Sequence, residues 1–328
     1  MIDEPRQSEI GNDALSMSAS QSLGLLKLIE KIATSDTPTV LLEGESGTGK
    51  NLAALLIHQK SRRAAKPFME VNCASLPETL IETELFGHEK GAFTDAKQEK
   101  KGLFEVARGG TLFLNEIGEM SLPTQAKLLH AIENHKFRRV GGVEEIETDI
   151  RIIAATNVDL KQAVAQRQFR EDLYYRLQLI PIRLLPLRDR AEEIPILIQY
   201  FIEKLNPKYG KKVTGVTPEA AVFLKTYPWP GNVRELKNTI ERVMLLEDAE
   251  SIQVHHLPHE IRSGGQAARY TFQIPAEGVN LEALEKELIA QALEKATGNQ
   301  TRASKLLGIS RHTLRYRMEK FGLKFGLG

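Results

Sequence analysis

Lys50 closes the run "LLEGESGTGKN", with Gly44, Glu45, Ser46, Gly47, Thr48 and Gly49 before it and Asn51 after it. An apolar stretch precedes these residues and a helix-like one follows. Glycines spaced in this way let backbone N–H groups close around phosphate oxygens, the next helix start adds partial positive charge, and the lysine reaches the outer phosphates. A hydroxyl residue usually follows the lysine, but here the position is Asn51. A second apolar run, "GGTLFLNE", ends in Asn115-Glu116. In P-loop enzymes an acid at the first of these positions holds Mg²⁺ through water, and the next glutamate orients the attacking water. Glu116 fits the second role. Asn115 accepts a hydrogen bond from metal-bound water but brings no charge. Weaker Mg²⁺ anchoring with nucleotide binding retained is the expectation, and a site that does not hydrolyse is the alternative.

These residues need a scaffold. Short apolar runs at "TVLLEG", "PFMEVN", "GGTLFLNE" and "DIRIIAATN" read as buried strands separated by helical stretches such as "SLGLLKLIEKIA" and "NLAALLIHQKS". That alternation predicts an α/β domain with a mostly parallel sheet. Beyond "LIPIRLLPLRDR" the pattern turns helical: residues 191–262 read as helices only, broken at "YPWPGN", which fits a small helical subdomain. "SGGQAARYTFQIPAEGVN" is Gly/Ala-rich and aperiodic, a linker. The divisions expected are 1–20, a short N-terminal segment; 21–181, the α/β part; 182–262, the helical lid; 263–280, the linker; and 281–328, a separate helical module.

The 328 residues are 41% hydrophobic and 27% charged, ordinary for a soluble protein. Cys73 is the sole cysteine, which excludes an internal disulfide and reads as a small buried residue. No apolar run reaches the ~18 residues of a membrane span, and the polar start lacks a secretory pattern, so the cytoplasm is expected. Net charge is +1 but unevenly spread: from Ser263 onward ten Lys and Arg oppose six Asp and Glu, and within 300–328 seven basic residues face Glu319 alone. A basic end on a slightly acidic body predicts a polyanion-binding module.

"GNQTRASKLLGISRHTLRYRMEKFG" reads as helix, turn, helix. The first helix runs from about Gln300 to Leu307, Gly308-Ile309-Ser310 makes the turn, and Ser310 caps the second. That helix carries Arg311, His312, Arg315 and Arg317 as candidates for double-stranded DNA, with Leu314 and Met318 as its core stripe. Ahead of it, "LEALEKELIAQALEKA" has an apolar stripe of Leu281, Leu284, Leu288, Ile289 and Leu293, suited to dimerisation or to packing within the module.

Taken in order, "GESGTGK", "VNCASL", "ELFGHEKGAFTDA", "GGTLFLNEIGEM", "RVGG", "RIIAATN", "FREDLYYRL", "PLRDR" and "YPWPGNVRELKN" resemble the central AAA+ domain of bacterial sigma-54-dependent transcription activators over about residues 20–260. The C-terminal module resembles that family's Fis-type helix-turn-helix. The resemblance implies an AAA+ P-loop parallel sheet with helices on both faces, a small all-α lid and an all-α DNA-binding domain. It implies ATP and Mg²⁺ as ligands, a homo-oligomer from dimer to hexameric ring, and sigma-54 RNA polymerase as partner. Asn72 matches the residue that pairs with the catalytic glutamate, Glu116. Asn157 matches the γ-phosphate sensor, unless it only caps the next helix. Arg170 and Arg176 match arginines offered to a neighbour's ATP, with surface ion pairs as the alternative. Arg234 matches the sensor on the lid, with Glu235 or Glu241 as alternative partners.

"GHEKGAFTDAKQEKKG", residues 87–102, resembles the family loop that touches sigma-54. Phe93 and Thr94 would make the contact, and Asp95 stands where the family has a glycine. About 20 residues precede the ATPase segment, too few for the family's usual sensory domain. Control by a regulatory protein in trans, control by expression, or a fragmentary chain would each account for that. Three functions compete: an ATP-driven activator of sigma-54 polymerase, a DNA-binding regulator keeping the AAA+ fold with weak or no remodelling, and a motor for DNA transactions, against which the "GAFT" loop argues.

Overall fold

The computed structural model describes residues 20–35, 37–93, 96–263, 278–296 and 298–323. The chain divides into two units, Met1–Ala267 and Ala268–Gly328. In the first, α1 (Ser20–Thr34) leads into strand β1 (Thr39–Glu43) and helix α2 (Lys50–Gln59). Next come β2 (Phe68–Asn72), α3 (Glu78–Phe86), β3 (Thr111–Asn115) and α4 (Leu122–Asn134). Strand β4 (Arg151–Thr156), α5 (Leu160–Ala165), α6 (Glu171–Leu177) and β5 (Pro181–Arg183) complete the α/β part.

The five strands form one parallel sheet in the order β2-β3-β4-β1-β5. Its inner strands are apolar without interruption because both faces are covered. Val40 and Leu42 face α1 and α2, packing with Ile29, Ala53, Ile57 and Ile153. Leu41, between them, faces the other way, onto a core with Leu112, Leu114, Phe86, Leu128 and Leu173. Parallel pairing puts the carboxyl ends of β1, β2, β3 and β4 on one edge, where open α/β sheets hold ligands. Asn72, Asn115-Glu116 and Asn157 all follow from that one constraint. Strand β5 runs across the expected 181/182 division: Ile182 and Arg183 still pair with Leu42 and Glu43.

The lid follows as α7 (Ile194–Tyr209), α8 (Pro218–Thr226) and α9 (Asn232–Leu246), closed around the fully buried Trp229. Thr217 caps α8 by accepting from Ala220 N, and Pro218 takes the first turn, where its missing N–H is harmless. Residues 191–262 are not helices alone. Gly215–Val216 and Ser251–Ile252 pair as a two-residue parallel ladder. Extended connectors beside the buried Val213 and Ile252 need backbone partners away from water, and they find each other.

The second unit contains α10 (Leu281–Lys295), α11 (Gln300–Leu306) and α12 (Arg311–Lys320). Most of the expected linker, 264–277, lies outside the described residues. None of the described helices is long and apolar enough to cross a membrane.

Candidate nucleotide and DNA sites

The loop between β1 and α2 is shaped by its glycines. Gly47 has φ 79°, and a Cβ there would sit 2.3 Å from the carbonyl oxygen of Gly231 in the lid. Side-chain-free backbone is therefore required twice over, by the turn and by its neighbour. Lys50 opens α2 and is buried. Its Nζ donates to the carbonyls of Gly44 (2.7 Å) and Glu45 (3.1 Å) and lies 4.0 Å from Glu116 Oε1. Burial pulls its pKa down, Glu116 opposes that shift, and the Arg234 charge adds to it.

Glu116 follows β3 with φ 54°, a left-handed backbone that costs a non-glycine residue about 1–2 kcal/mol. Its Oε2 is buried without a hydrogen-bond donor, and so is Asn115 Oδ1. Asn115 Nδ2 donates to Asn51 Oδ1 (3.3 Å), and Asn51 Nδ2 donates to Glu70 Oε1 (2.7 Å). Lys50, Asn51, Asn115 and Glu116 line one cleft of about 370 Å³ with Tyr200, Lys204, Arg234 and Lys237 of the lid. Four cations around such a cleft suit a polyanion, and the two orphaned acceptor oxygens suit water on a hydrated cation. The described residues hold no cluster of three His, Cys, Asp or Glu that would bind a metal unaided. A cation here would arrive with phosphate, as Mg²⁺ does.

The lid is tied to the loop. Asn232 is completely buried with φ 52°; its Oδ1 accepts from Leu187 N (2.7 Å), and its Nδ2 donates to Ser46 O (3.0 Å) and Glu45 Oε2 (3.1 Å). Val233 N donates to Gly47 O, Arg190 Nη2 to Thr48 O, and Arg234 Nη1 to Ser46 Oγ (2.9 Å). Arg234 thus aims at the loop. Its alternative partners are occupied: Glu235 by Gly231 N, and Glu241 by Lys208 and Tyr209. Glu45 offers the cleft no free carboxylate. Arg188 grips it at 2.6 and 2.9 Å, and bonds from Arg188 and Asn232 hold its pKa at about 2.

Of the expected phosphate-loop residues Gly44, Glu45 and Thr48 do not line the cleft, and neither do Asn72, Asn157, Arg170 and Arg176. Asn72 Oδ1 accepts from Ala74 N, closing its own turn. Asn157 is exposed, and the cap of α5 is Asp159, which accepts from Lys161 N and Gln162 N. Asp159 wins because it directly precedes the helix. Arg170 forks onto Asp172 (2.7 and 3.1 Å), the ion pair weighed from sequence, while Arg176 is exposed. Cys73 is buried, and burial together with Glu116 pushes its thiol up to about 12, so it stays protonated. Sequence reasoning missed Asn232, Arg188, Arg190, Lys204 and Lys237. Arg188 and Arg190 stood in "PLRDR" and Asn232 in "PGN"; the lid lysines had no signal beyond a basic residue on an amphipathic helix.

The 87–102 loop rises from a two-residue antiparallel pairing of Gly87–His88 with Lys100–Lys101. Phe93 is 43% exposed and rests edge-on against His88 (4.9 Å between centroids). Thr94 and Asp95 lie outside the described residues. Arg139, on a neighbouring hairpin in which Lys136–Phe137 pairs antiparallel with Ile146–Glu147, binds Glu105 twice (2.8 and 2.9 Å), Glu89 (3.0 Å) and Glu99 (3.3 Å). These glutamates flank both legs of the loop. Val143, on Arg139's own hairpin, is 88% exposed.

In the second unit Gly308 has φ 65° and Ser310 accepts from Thr313 N, the turn and cap read from sequence. Leu314 and Met318 are buried. Arg311, His312 and Arg315 are exposed, as is Tyr316. Arg317 is drawn aside into an ion pair with Glu285 of α10. The stripe of α10 divides: Ile289 and Leu293 enter the module core, whereas Leu281 and Leu288 face outward.

The description Sigma-54 interaction domain matches residues 15–183, AAA+ ATPase lid domain 188–273, and Bacterial regulatory protein, Fis family 280–321. The chain is 47% identical over 305 residues to the regulatory protein AtoC of Escherichia coli, covering 92% of this chain and 66% of that protein. It is 46% identical to the nitrogen fixation protein VnfA of Azotobacter vinelandii, covering 92% and 58%. It thus spans about three fifths of those relatives' length. The crystal structure of NtrX from Brucella abortus in complex with ATP superposes with TM-score 0.70 at 32% identity, over 96% of this chain and 72% of that one. The chain therefore belongs to the family of bacterial regulators built on a Sigma-54 interaction domain, with an AAA+ lid and a Fis-family helix-turn-helix.

Proposed function

We infer that the chain is an ATP-dependent transcriptional activator of the cytoplasm, which binds upstream DNA and uses hydrolysis in a hexameric ring to remodel sigma-54 RNA polymerase. The observation that carries this reading is the cleft in which buried Lys50 meets the orphaned oxygens of Asn115 and Glu116 under the lid's Arg234. Lys50 neutralises the outer phosphates, and the loop N–H groups hold them. Glu116 Oε2, an acceptor with no donor, accepts a hydrogen bond from the attacking water and aligns it. Mg²⁺, when bound with ATP, would supply charge neutralisation, and Asn115 and Glu116 are the residues that would accept from its water.

Arg170 and Arg176 lie outside their own chain's cleft, as guanidinium groups offered to a neighbour's γ-phosphoryl must. Asn157 and Asn72, at strand ends on the same edge, sense and relay the phosphate state. Arg234, bonded to Ser46, carries that state to the lid. Phe93, half out of its seat on His88, gives sigma-54 an apolar contact that Thr94 and Asp95 complete. Arg311, His312 and Arg315 engage duplex DNA.

The neutral pair Asn51 and Asn115 favours a second reading, an AAA+-fold DNA-binding regulator with weak remodelling or none. ATP hydrolysis with Mg²⁺, followed by open-complex formation on a linked sigma-54 promoter, separates them. Hydrolysis that yields no open complexes removes the remodelling role, and no hydrolysis at saturating Mg²⁺ favours the second reading.

A further inference from the structure

Two positions that anchor the cation in P-loop enzymes are both amides here. Asn51 stands for the hydroxyl and Asn115 for the acid, and the two are bonded to each other (3.3 Å). Glu116 is the one acid among the described residues lining the cleft, against Lys50, Lys204, Arg234 and Lys237. A hard cation takes oxygen ligands, commonly with one or two carboxylates. An amide can present either an oxygen or an NH₂, and only the first serves.

A carboxylate stands at the far end of the chain of bonds. Glu70 lies on β2, two residues before Asn72, which pairs in register with Asn115. Side chains two apart share a face of a strand, and Phe68 on that face meets Phe113 and His58 of α2. Glu70 therefore sits beneath the start of α2, where its Oε1 accepts from Asn51 Nδ2 (2.7 Å). Burial raises the Glu70 pKa above the ordinary carboxylate value, and in its ionised form the group only accepts. It obliges Asn51 to turn its NH₂ toward β2 and its oxygen toward Asn115. Asn115 must then spend its NH₂ on Asn51, which leaves Oδ1 buried, unpartnered and committed as an acceptor.

We propose that Glu70 is a positioning residue of the cation site: through Asn51 it fixes the polarity of Asn115, so that an oxygen rather than an NH₂ faces Mg²⁺, and it adds the nearby negative charge that the two amides lack. The inference rests on the nucleotide reading above and extends it to a residue outside both phosphate-site motifs. Glutamine at 70 keeps the shape but can offer its own NH₂, so the whole amide chain is free to reverse. Asn115 would then point a donor at the phosphates.

The test is equilibrium binding of a fluorescent non-hydrolysable ATP analogue to the purified full chain, across a Mg²⁺ titration and in EDTA. Glu70→Gln should raise the Mg²⁺ needed for half-maximal effect about tenfold or more, the scale of one charge-assisted hydrogen bond, while nucleotide binding in EDTA tightens. Glu70→Ala should shift the Mg²⁺ demand in the same direction. Asn115→Asp in the Glu70→Gln background should restore the Mg²⁺ response, because a carboxylate has no wrong way round. A Mg²⁺ demand within twofold of the parent for both Glu70 variants overturns the proposal. So does a parallel loss of affinity with and without Mg²⁺, which would make Glu70 a prop for the loop. Lys50→Ala reports on the underlying reading: if it binds the analogue as the parent does, the nucleotide site itself is misplaced.

Discussion

Asn232→Ala probes the contact between lid and phosphate loop most directly. Asn232 is buried, and its side chain makes bonds to Leu187 N, Ser46 O and Glu45 Oε2. Alanine leaves the buried Leu187 N–H without a partner, at about 1–3 kcal/mol, and the lost bonds to Ser46 and Glu45 add about 1 kcal/mol each. At φ 52° alanine also pays about 1 kcal/mol more than asparagine, which tolerates left-handed backbone. The sum is roughly 4–6 kcal/mol. Trp229 is the chain's sole tryptophan, fully buried and three residues away, so urea unfolding followed by its fluorescence reads this region without a label. Asn232→Gly should recover about 1 kcal/mol of the loss by relieving the backbone alone. Asn232→Asp keeps an acceptor for Leu187 N but sets a carboxylate against Glu45, and should remain well below the parent. An Asn232→Ala stability within about 1 kcal/mol of the parent would refute the argument, since orphaning one buried N–H already costs that much.

The Glu45 carboxyl is held at about 2 against an ordinary 4.5, so its contribution is complete above about 4.5 and fades as pH falls toward 2. Glu45 and Arg188 are well exposed, so the effect should stay under about 1 kcal/mol; Arg188→Ala should flatten the acid response of Trp229 unfolding in that window, and an unchanged response would discount the pair. Arg315→Ala should weaken duplex binding and lower the slope of affinity against salt by about 1, whereas Arg317→Ala should leave the slope alone and loosen its own module by freeing Glu285. Anisotropy over a salt series decides, and the reverse pattern would exchange their roles. Phe93→Ala and Thr94→Ala should abolish activation of sigma-54 polymerase with ATP turnover intact, and Asp95→Gly should preserve or improve it; activation surviving both alanines would remove the loop from the contact.

What could be read from sequence was what the chain encodes locally. "TVLLE", "TLFLN" and "RIIAAT" announce strands because a parallel sheet covered on both faces demands unbroken apolar runs. Lys50 and Glu116 announce themselves because each ends such a strand or its loop. The bond from Asn232 to Glu45 spans 187 positions and leaves no local trace. Nor does Glu70, whose partner Asn51 looked like a missing hydroxyl rather than one link of a chain. Arg317 resembled its neighbours in type and differed only in which side of α12 it occupies. The α10 stripe looked continuous because spacing alone cannot say where a second surface begins.

Arg139 gives the 87–102 loop a mechanical character. One guanidinium holds Glu89 on the outgoing leg, Glu99 on the returning leg and Glu105 beyond it, from a hairpin whose Val140 is also bonded to Gly87 and Glu89 through the backbone. Legs clamped at the base cannot splay or slide past one another. A small tilt where α3 hands over to Gly87 is then shared by both legs, as by a rigid lever pivoting on its fulcrum, and Phe93, seated on His88, travels with them.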